Sequence, residues 1–297
     1  MANPAQAADS ALSASHTPQS LVDGITNLVS FPEVAIAIDN ALVDGTSGTA
    51  EIGALIEPDP GLSAALLKLA NSAMYNKGGA IDSVERAVLM VGGREVRDLT
   101  FAIAAAQTFS GISSRLITVE DFWFHSLSCA VIARELASRH RVFPAASPFT
   151  AGLLADLGQL VMYVQAPEQS EQVLRHSRAH NDGLTLYLSE REIFGFDHME
   201  VGEALARSWD FPEPLSICIG KHHEPHLAGD LADNAALVAA ANGLAVLLEL
   251  ESNRLEDMPP LAEDIVEHFD LANTATVDAI IDSARGTVDD LLRMFIS

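Results

Sequence analysis

Apolar residues recur at spacings of three and four along almost the whole chain, with no sustained two-residue alternation between hairpin turns, so the pattern predicts an all-α protein. The first helices are expected at Leu21–Leu28, at Glu33–Leu42 after Phe31-Pro32, and from Thr49, read as a cap, to about Ile56. Asp59-Pro60 is an N-cap followed by proline in the first turn, opening a helix that carries Leu62, Leu66 and Leu69 to about Tyr75. Asp82 with Glu85 reads as a capping box for a short helix to Val91, and Gly92-Gly93 separates it from a helix over Arg94–Thr108. The small, polar run Ser110–Leu116 is the natural boundary, because Thr118 with Asp121 then opens a long helix to about His140.

Beyond it the pattern predicts helices over Phe149–Val164, Pro167–Asn181, Thr185–Phe194, His198–Trp209, Phe211–His223 and Asn234–Leu250, then three shorter ones after Pro259-Pro260. The organisation expected is a tail over residues 1–18, a helical N-terminal subdomain over 19–112, and a second helical bundle with the C-terminal helices over 117–297. The Ala/Ser/Gln-rich run Met1–Ser20 lacks the basic and apolar regions of a signal peptide. The longest apolar stretch, Ala235–Leu248, is interrupted by Asn242 and Gly243, so no membrane insertion is expected.

Charge narrows the function classes. Seventeen Lys and Arg against 41 Asp and Glu leave a formal net charge of −24, which opposes broad nucleic-acid binding. Cys129 and Cys218 stand apart in apolar helices and suggest neither a disulfide framework nor a thiolate metal site, so a cytoplasmic location is the expectation.

Five polar residues of the second unit fall on or beside apolar helix faces. His125 is in line with Cys129, Ile132 and Leu136; Asp156 with Phe149, Leu153 and Leu160; His198 with Val201, Leu205 and Trp209; and His222, with His223 beside it, follows Leu215, Cys218 and Ile219. A carboxylate on such a face is costly unless it is neutralised or receives hydrogen bonds. Imidazoles and a carboxylate gathered from several helices suit a metal site in a helical bundle, and they equally suit satisfied core residues.

The order of motifs resembles the HDOD (HD-related output domain) family, a non-catalytic relative of the HD metal-dependent phosphohydrolases. The resemblance runs from about Ser20 to about Leu250. It rests on Ile56-Glu57-Pro58-Asp59-Pro60-Gly61-Leu62, on Leu69-Ala70-Asn71-Ser72-Ala73-Met74-Tyr75, on Ser83, Ala87 and Gly92, and on Phe122-Trp123-Phe124-His125-Ser126. Ala151-Gly152-Leu153-Leu154-Ala155-Asp156-Leu157-Gly158, Asp197-His198 with Val201-Gly202, and His222-His223-Glu224-Pro225 complete it. It implies an N-terminal helical subdomain packed on a degenerate HD-like bundle.

The departures from the catalytic pattern carry the functional expectation. Ala155 stands where an HD enzyme has the His of its His-Asp pair, Gln159 where it has Lys, and Ala241-Asn242 where its late metal-ligating Asp is expected. Three roles are missing, so no residue is assigned a catalytic role. No cofactor is expected beyond a single divalent metal on His125, Asp156, His198 and His222 or His223. The resemblance implies a non-enzymatic bacterial signal-transduction module that binds other signalling proteins. Two alternatives stand beside it: a phosphohydrolase with a rearranged ligand set, and a cyclic-dinucleotide receptor, for which Arg94, Arg97 and Arg134 are the basic support. Asn71 is either a contact to a ligand or partner, or a bridge of backbone at its helix end.

Overall fold

The computed structural model describes residues 16–26, 32–43, 48–71, 78–109, 113–140, 142, 145–179 and 186–295. Among these residues there are helices and turns and no strand. The helices are α1 (Pro18–Thr26), α2 (Glu33–Val43), α3 (Thr49–Ile56), α4 (Pro60–Ala70), α5 (Val84–Val91), α6 (Gly93–Thr108), α7 (Val119–His140), α8 (Pro148–Leu154), α9 (Leu157–Gln165), α10 (Pro167–Ala179), α11 (Leu186–Phe194), α12 (His198–Ser208), α13 (Glu213–Lys221), α14 (Ala232–Glu249), α15 (Glu263–His268) and α16 (Thr274–Phe295).

Local chemistry sets several starts. Asp59 caps α4 by accepting from the Leu62 amide at 3.0 Å, with Pro60 in the first turn. Thr118 accepts from the Asp121 amide at 3.0 Å and donates to its carboxylate at 2.6 Å, opening α7. Two caps lie one residue from the expected position. Gly48, not Thr49, is the N-cap of α3, where its amide donates to Glu51. Ser83, not Asp82, caps α5, leaving Asp82 to pair with Arg86.

Three elements depart more widely from the pattern. The helix expected over Phe149–Val164 is two helices, broken at Ala155-Asp156, so Asp156 is the N-cap residue of α9 rather than a mid-helix position. The segment after Pro259-Pro260 holds two helices instead of three, because α16 runs unbroken to Phe295. Finally, α1 takes in the last residues of the run read as tail.

The smaller of two cores draws on α2 to α6, from Ile38 and Ile56 through Leu66 and Val88 to Ile103. The larger is built around α7, against which α8, α14 and α16 pack. The buried face of α1 (Leu21, Val22, Ile25) belongs to this larger core and lies against α9 and α12. Two helices contribute to both: α2, with Ala35 in the larger core and Ile38 in the smaller, and α6. Phe101 and Phe109 of α6 enter an aromatic group with Trp209 and Phe211, with ring centroids 5.8 Å (Phe101–Phe211) and 6.1 Å (Phe109–Trp209) apart. Asp98, also on α6 and buried, accepts a 2.5 Å hydrogen bond from Ser147 at the start of α8.

The stretch Gly229–Glu249 is long and apolar enough to cross a membrane by length and composition, and it is the only such helix among the described residues. Most of it, 72% of the apolar window, is buried against the rest of the protein, which is what a central core helix requires.

Candidate functional site

Asp156 is where the helices converge. The break between α8 and α9 turns its side chain inward, and close packing brings α12 up to it. A Cβ on Gly158 would sit 2.0 Å from the His198 carbonyl oxygen and 2.5 Å from the Gly202 amide nitrogen, so only glycine allows α9 and α12 to approach this far.

The carboxylate divides its two oxygens between two sets of partners. Oδ2 accepts from His125 Nε2 at 3.1 Å and from Asn242 Nδ2 at 2.7 Å. Oδ1 lies 3.5 Å from both His198 Nε2 and His222 Nε2. Burial alone would raise the Asp156 pKa, but its hydrogen bonds with His125 and His222 overcome that and hold it well below the usual carboxylate range.

Each imidazole is held by its other nitrogen. His198 Nδ1 donates to Glu190 Oε2 at 2.6 Å, and the same oxygen accepts from the His198 amide at 2.9 Å. His222 Nδ1 donates to the Ile219 carbonyl at 2.8 Å. Both rings therefore turn Nε2 toward Asp156, an arrangement that orients histidine ligands at metal sites. His125 is different. Its Nδ1 donates to Glu249 Oε1 at 2.8 Å while its Nε2 serves Asp156, so both nitrogens are committed to carboxylates. Burial opposes its charged form, but the Asp156 and Glu249 hydrogen bonds prevail and raise its pKa to about 10. For His198 burial again opposes the charge and Glu190 outweighs it, raising the pKa to about 9.

A fourth histidine completes the cluster. Asp156, His198, His222 and His223 offer ligand atoms that all lie within 4.8 Å of one another. His125 stands behind this group, joined to it through Asp156, with both ring nitrogens occupied by carboxylates. His223 stacks on Tyr187, with centroids 5.0 Å apart and planes at 8°. Burial and the neighbouring His222 and His198 push its pKa well below the ordinary histidine value, so it is neutral.

The residues present fit one divalent cation. Asp156 Oδ1, His198 Nε2 and His222 Nε2 form a nearly equilateral triangle with sides of 3.4, 3.5 and 3.5 Å. A point equidistant from the three atoms is about 2.0 Å from each, the bond length a transition metal makes to nitrogen and carboxylate oxygen. A second ion does not fit in the same way: Ala155 is fully buried and has no donor, and Asn242 spends its amide on Asp156 Oδ2.

Four contributors were not evident from the sequence: Glu190, Arg191, Tyr187 and Glu249. Arg191 donates from Nε to the buried Asp197 at 2.7 Å and from Nη1 to Glu224 Oε1 at 2.9 Å, with its guanidinium over the Tyr187 ring. It thus ties the residue before His198 to the residue after His223.

The remaining predicted residues lie elsewhere. Asn71 accepts from the Ile81 amide at 2.9 Å and donates to the Ile81 carbonyl at 2.7 Å and the Leu67 carbonyl at 2.8 Å, bridging the end of α4 to the chain before α5. Arg97, mostly buried, has Nε 3.8 Å from Asp98, and Arg134 lies over the Phe149 ring. The Arg94 side chain is outside the described residues. Gln159, in contrast, joins Asp156, Asn242 and the histidines in lining a cavity of about 710 Å³.

The family model for the HDOD domain matches residues 28–225. An uncharacterized protein of Treponema pallidum (strain Nichols) is 26% identical over 225 residues, which is 75% of this chain and 43% of that one, so the chain spans less than half of that relative's length. Among solved structures, an HDOD domain protein of Geobacter sulfurreducens is similar with a TM-score of 0.73 and 24% identity, covering 92% of this chain and 98% of the other. A protein of Marinobacter aquaeolei VT8, described as a proposed signal transduction protein, has a TM-score of 0.75 and 20% identity over 99% of this chain and 65% of its own. One of Shewanella amazonensis SB2B, described as a proposed phosphohydrolase, has a TM-score of 0.71 and 23% identity over 95% and 100%. At these identities the likenesses establish the fold.

Proposed function

The chain belongs to the HDOD family, and from that premise we propose that it is a non-hydrolytic signalling module of the bacterial cytoplasm, whose HD-like site recognises a ligand and whose helical surface engages another regulator. The observation that carries this reading is the 2.7 Å hydrogen bond from Asn242 to Asp156, next to the donorless Ala155. Two-metal phosphoester hydrolysis needs anionic ligands that hold both ions and balance their charge. Here one carboxylate oxygen is consumed by the Asn242 amide and the His125 ring, and the neutral Gln159 stands where a catalytic HD enzyme has its lysine.

Asp156, His198 and His222, with His223 nearby, would hold the single cation. Such an ion supplies a Lewis-acidic anchor for a ligand's donor atom and a cross-link between helices. Glu190 and the Ile219 carbonyl orient the two imidazoles, and His125 neutralises the carboxylate.

The donor triangle favours a second reading, a phosphohydrolase working with one metal and a rearranged ligand set. The same experiment separates the two. Purified protein supplemented with Mn²⁺ or Fe²⁺ is assayed against bis-p-nitrophenyl phosphate and nucleoside monophosphates. No release above the metal blank is expected, whereas turnover abolished by Asp156→Ala would establish the enzyme. The cyclic-dinucleotide alternative loses support because Arg97 and Arg134 both lie near the buried Asp98 rather than on the cavity wall.

A further inference from the structure

Resting on the reading that this chain engages another regulator, we propose that the engaged surface is the rim of the HD-like cavity, and that the partner fitting it presents a basic amphipathic helix with one large apolar anchor residue. The cavity, about 710 Å³, has space for an aromatic side chain. Asp156, His198 and His222 line it, together with the cation they would hold, and a hydrocarbon anchor asks nothing of that end. Other elements supply the apolar wall: Ile117 and Phe122 around the start of α7, Leu186 on α11, Val246 on α14, Leu261 in the following loop and Ile265 on α15. An apolar side chain gains by leaving water for such a surface.

The apolar surface continues outside the cavity. Of the five large hydrophobic side chains that are exposed among the described residues, three adjoin lining residues in the chain. Val119 stands between Ile117 and Phe122, Leu227 follows His226, and Leu250 follows Glu249; they are 41%, 56% and 58% exposed. A small molecule held inside the cavity leaves all three in water, whereas a helix laid across the opening covers them.

Charge at the rim selects the sign of the partner. Glu120 and Asp121 stand between Ile117 and Phe122, Glu263 and Asp264 between Leu261 and Ile265, and Glu251 follows Leu250; all five carboxylates are exposed. They lie outside the donor group and the residues that orient it. Residues 249–270 hold eight carboxylates against one arginine, Arg254, which already pairs with Glu256. Lysines and arginines beside the anchor therefore meet opposite charge on each side of the opening, which fixes orientation and speeds encounter. Any polycation feels the net charge of −24, so the test has to separate the rim from the rest of the surface.

The test titrates the full chain, in buffer containing Mn²⁺, into a labelled synthetic helix of Leu and Lys with a single Trp on its apolar face, followed by fluorescence anisotropy. One peptide should bind per chain. Replacing its Trp by Ala, or its Lys by Glu, should weaken binding at least about tenfold, or about 1.4 kcal/mol. Glu263→Lys with Asp264→Lys should weaken it as much. Asp282→Lys with Asp289→Lys makes the same change of net charge on α16, which lends no residue to the cavity, and should cost less than about threefold. Val246→Trp fills the cavity from a core helix and Leu261→Trp from a loop; each variant that keeps a wild-type circular dichroism spectrum and the parent's Mn²⁺ uptake should lose peptide affinity at least about tenfold. Should Val246→Trp not fold, Leu261→Trp carries this arm. No saturable binding, equal losses from the rim and α16 variants, or undiminished affinity of the Ala peptide, the Glu peptide or the folded cavity variants would overturn the proposal. A dimer in sedimentation velocity that Leu261→Trp dissolves would overturn it too, by giving the face to a second copy. Hydrolysis of bis-p-nitrophenyl phosphate would instead count against the non-hydrolytic reading, so the two failures are distinct.

Discussion

Asn242 donates to the same oxygen of Asp156 that accepts from His125, so that oxygen faces two donors and the other faces His198 and His222. Asn242→Asp replaces one donor with a second buried carboxylate. Losing that hydrogen bond and setting like charges together should destabilise the metal-free protein by about 1–3 kcal/mol. Excess Mn²⁺ should restore much of this. Thermal unfolding with and without the ion measures both effects, and a metal-free variant as stable as the parent would contradict the assigned contact.

Arg191 joins the two histidine-bearing segments by forking between Asp197 and Glu224. Asp197 is completely buried, so removing its cation leaves an uncompensated charge, although the partial exposure of Arg191 tempers the cost. Arg191→Ala should cost about 2 kcal/mol in denaturant unfolding. Arg191→Lys should recover less than half of that, because an ammonium cannot reproduce the planar fork. Full recovery in the lysine variant would show that charge alone matters there.

The cluster was legible in part because polar residues on apolar faces are conspicuous: His125, Asp156, His198 and His222 break helical stripes that are otherwise hydrocarbon. Glu190 and Arg191 gave no such signal. They sit in the run Ser189-Glu190-Arg191-Glu192, which reads as a solvated face, and only the packing of α11 beside α12 buries Glu190 against His198. The helix break at Ala155-Asp156 was hidden as well, since neither residue is a glycine or proline and the apolar spacing continues across it. Starts set by local chemistry, such as Asp59-Pro60 and Thr118 with Asp121, were readable because their partners lie within one turn.

Burial raises the pKa of Asp98 above its ordinary 3.8, although Ser147 donates to it and Arg97 and Arg134 oppose the shift; Glu95 adds to it, and Thr150 is its other partner from α8. In the window from 3.8 up to the raised value the folded state binds more protons than the unfolded one, so this residue's contribution to stability falls as pH rises. Asp98→Asn should flatten that slope. Denaturant midpoints taken from about pH 4 to about pH 7 give the comparison, and identical slopes in the two proteins would exclude Asp98 as the source.

Gly158 leaves no room for a side chain against the backbone of α12. Gly158→Ala should push the two helices apart at a cost of about 1–3 kcal/mol. Because α12 carries His198, cation affinity should weaken with it. A variant that loses stability yet binds Mn²⁺ as the parent does would separate the packing from the site.

The central claim is that one cation position survives and the second is gone. Counting Mn²⁺ per chain by equilibrium dialysis tests it most directly, in the parent and in a variant carrying Ala155→His with Asn242→Asp. We expect no more than one ion in the parent, lost in His198→Ala, and a second ion gained only in the double variant. Two ions bound by the parent would contradict the account.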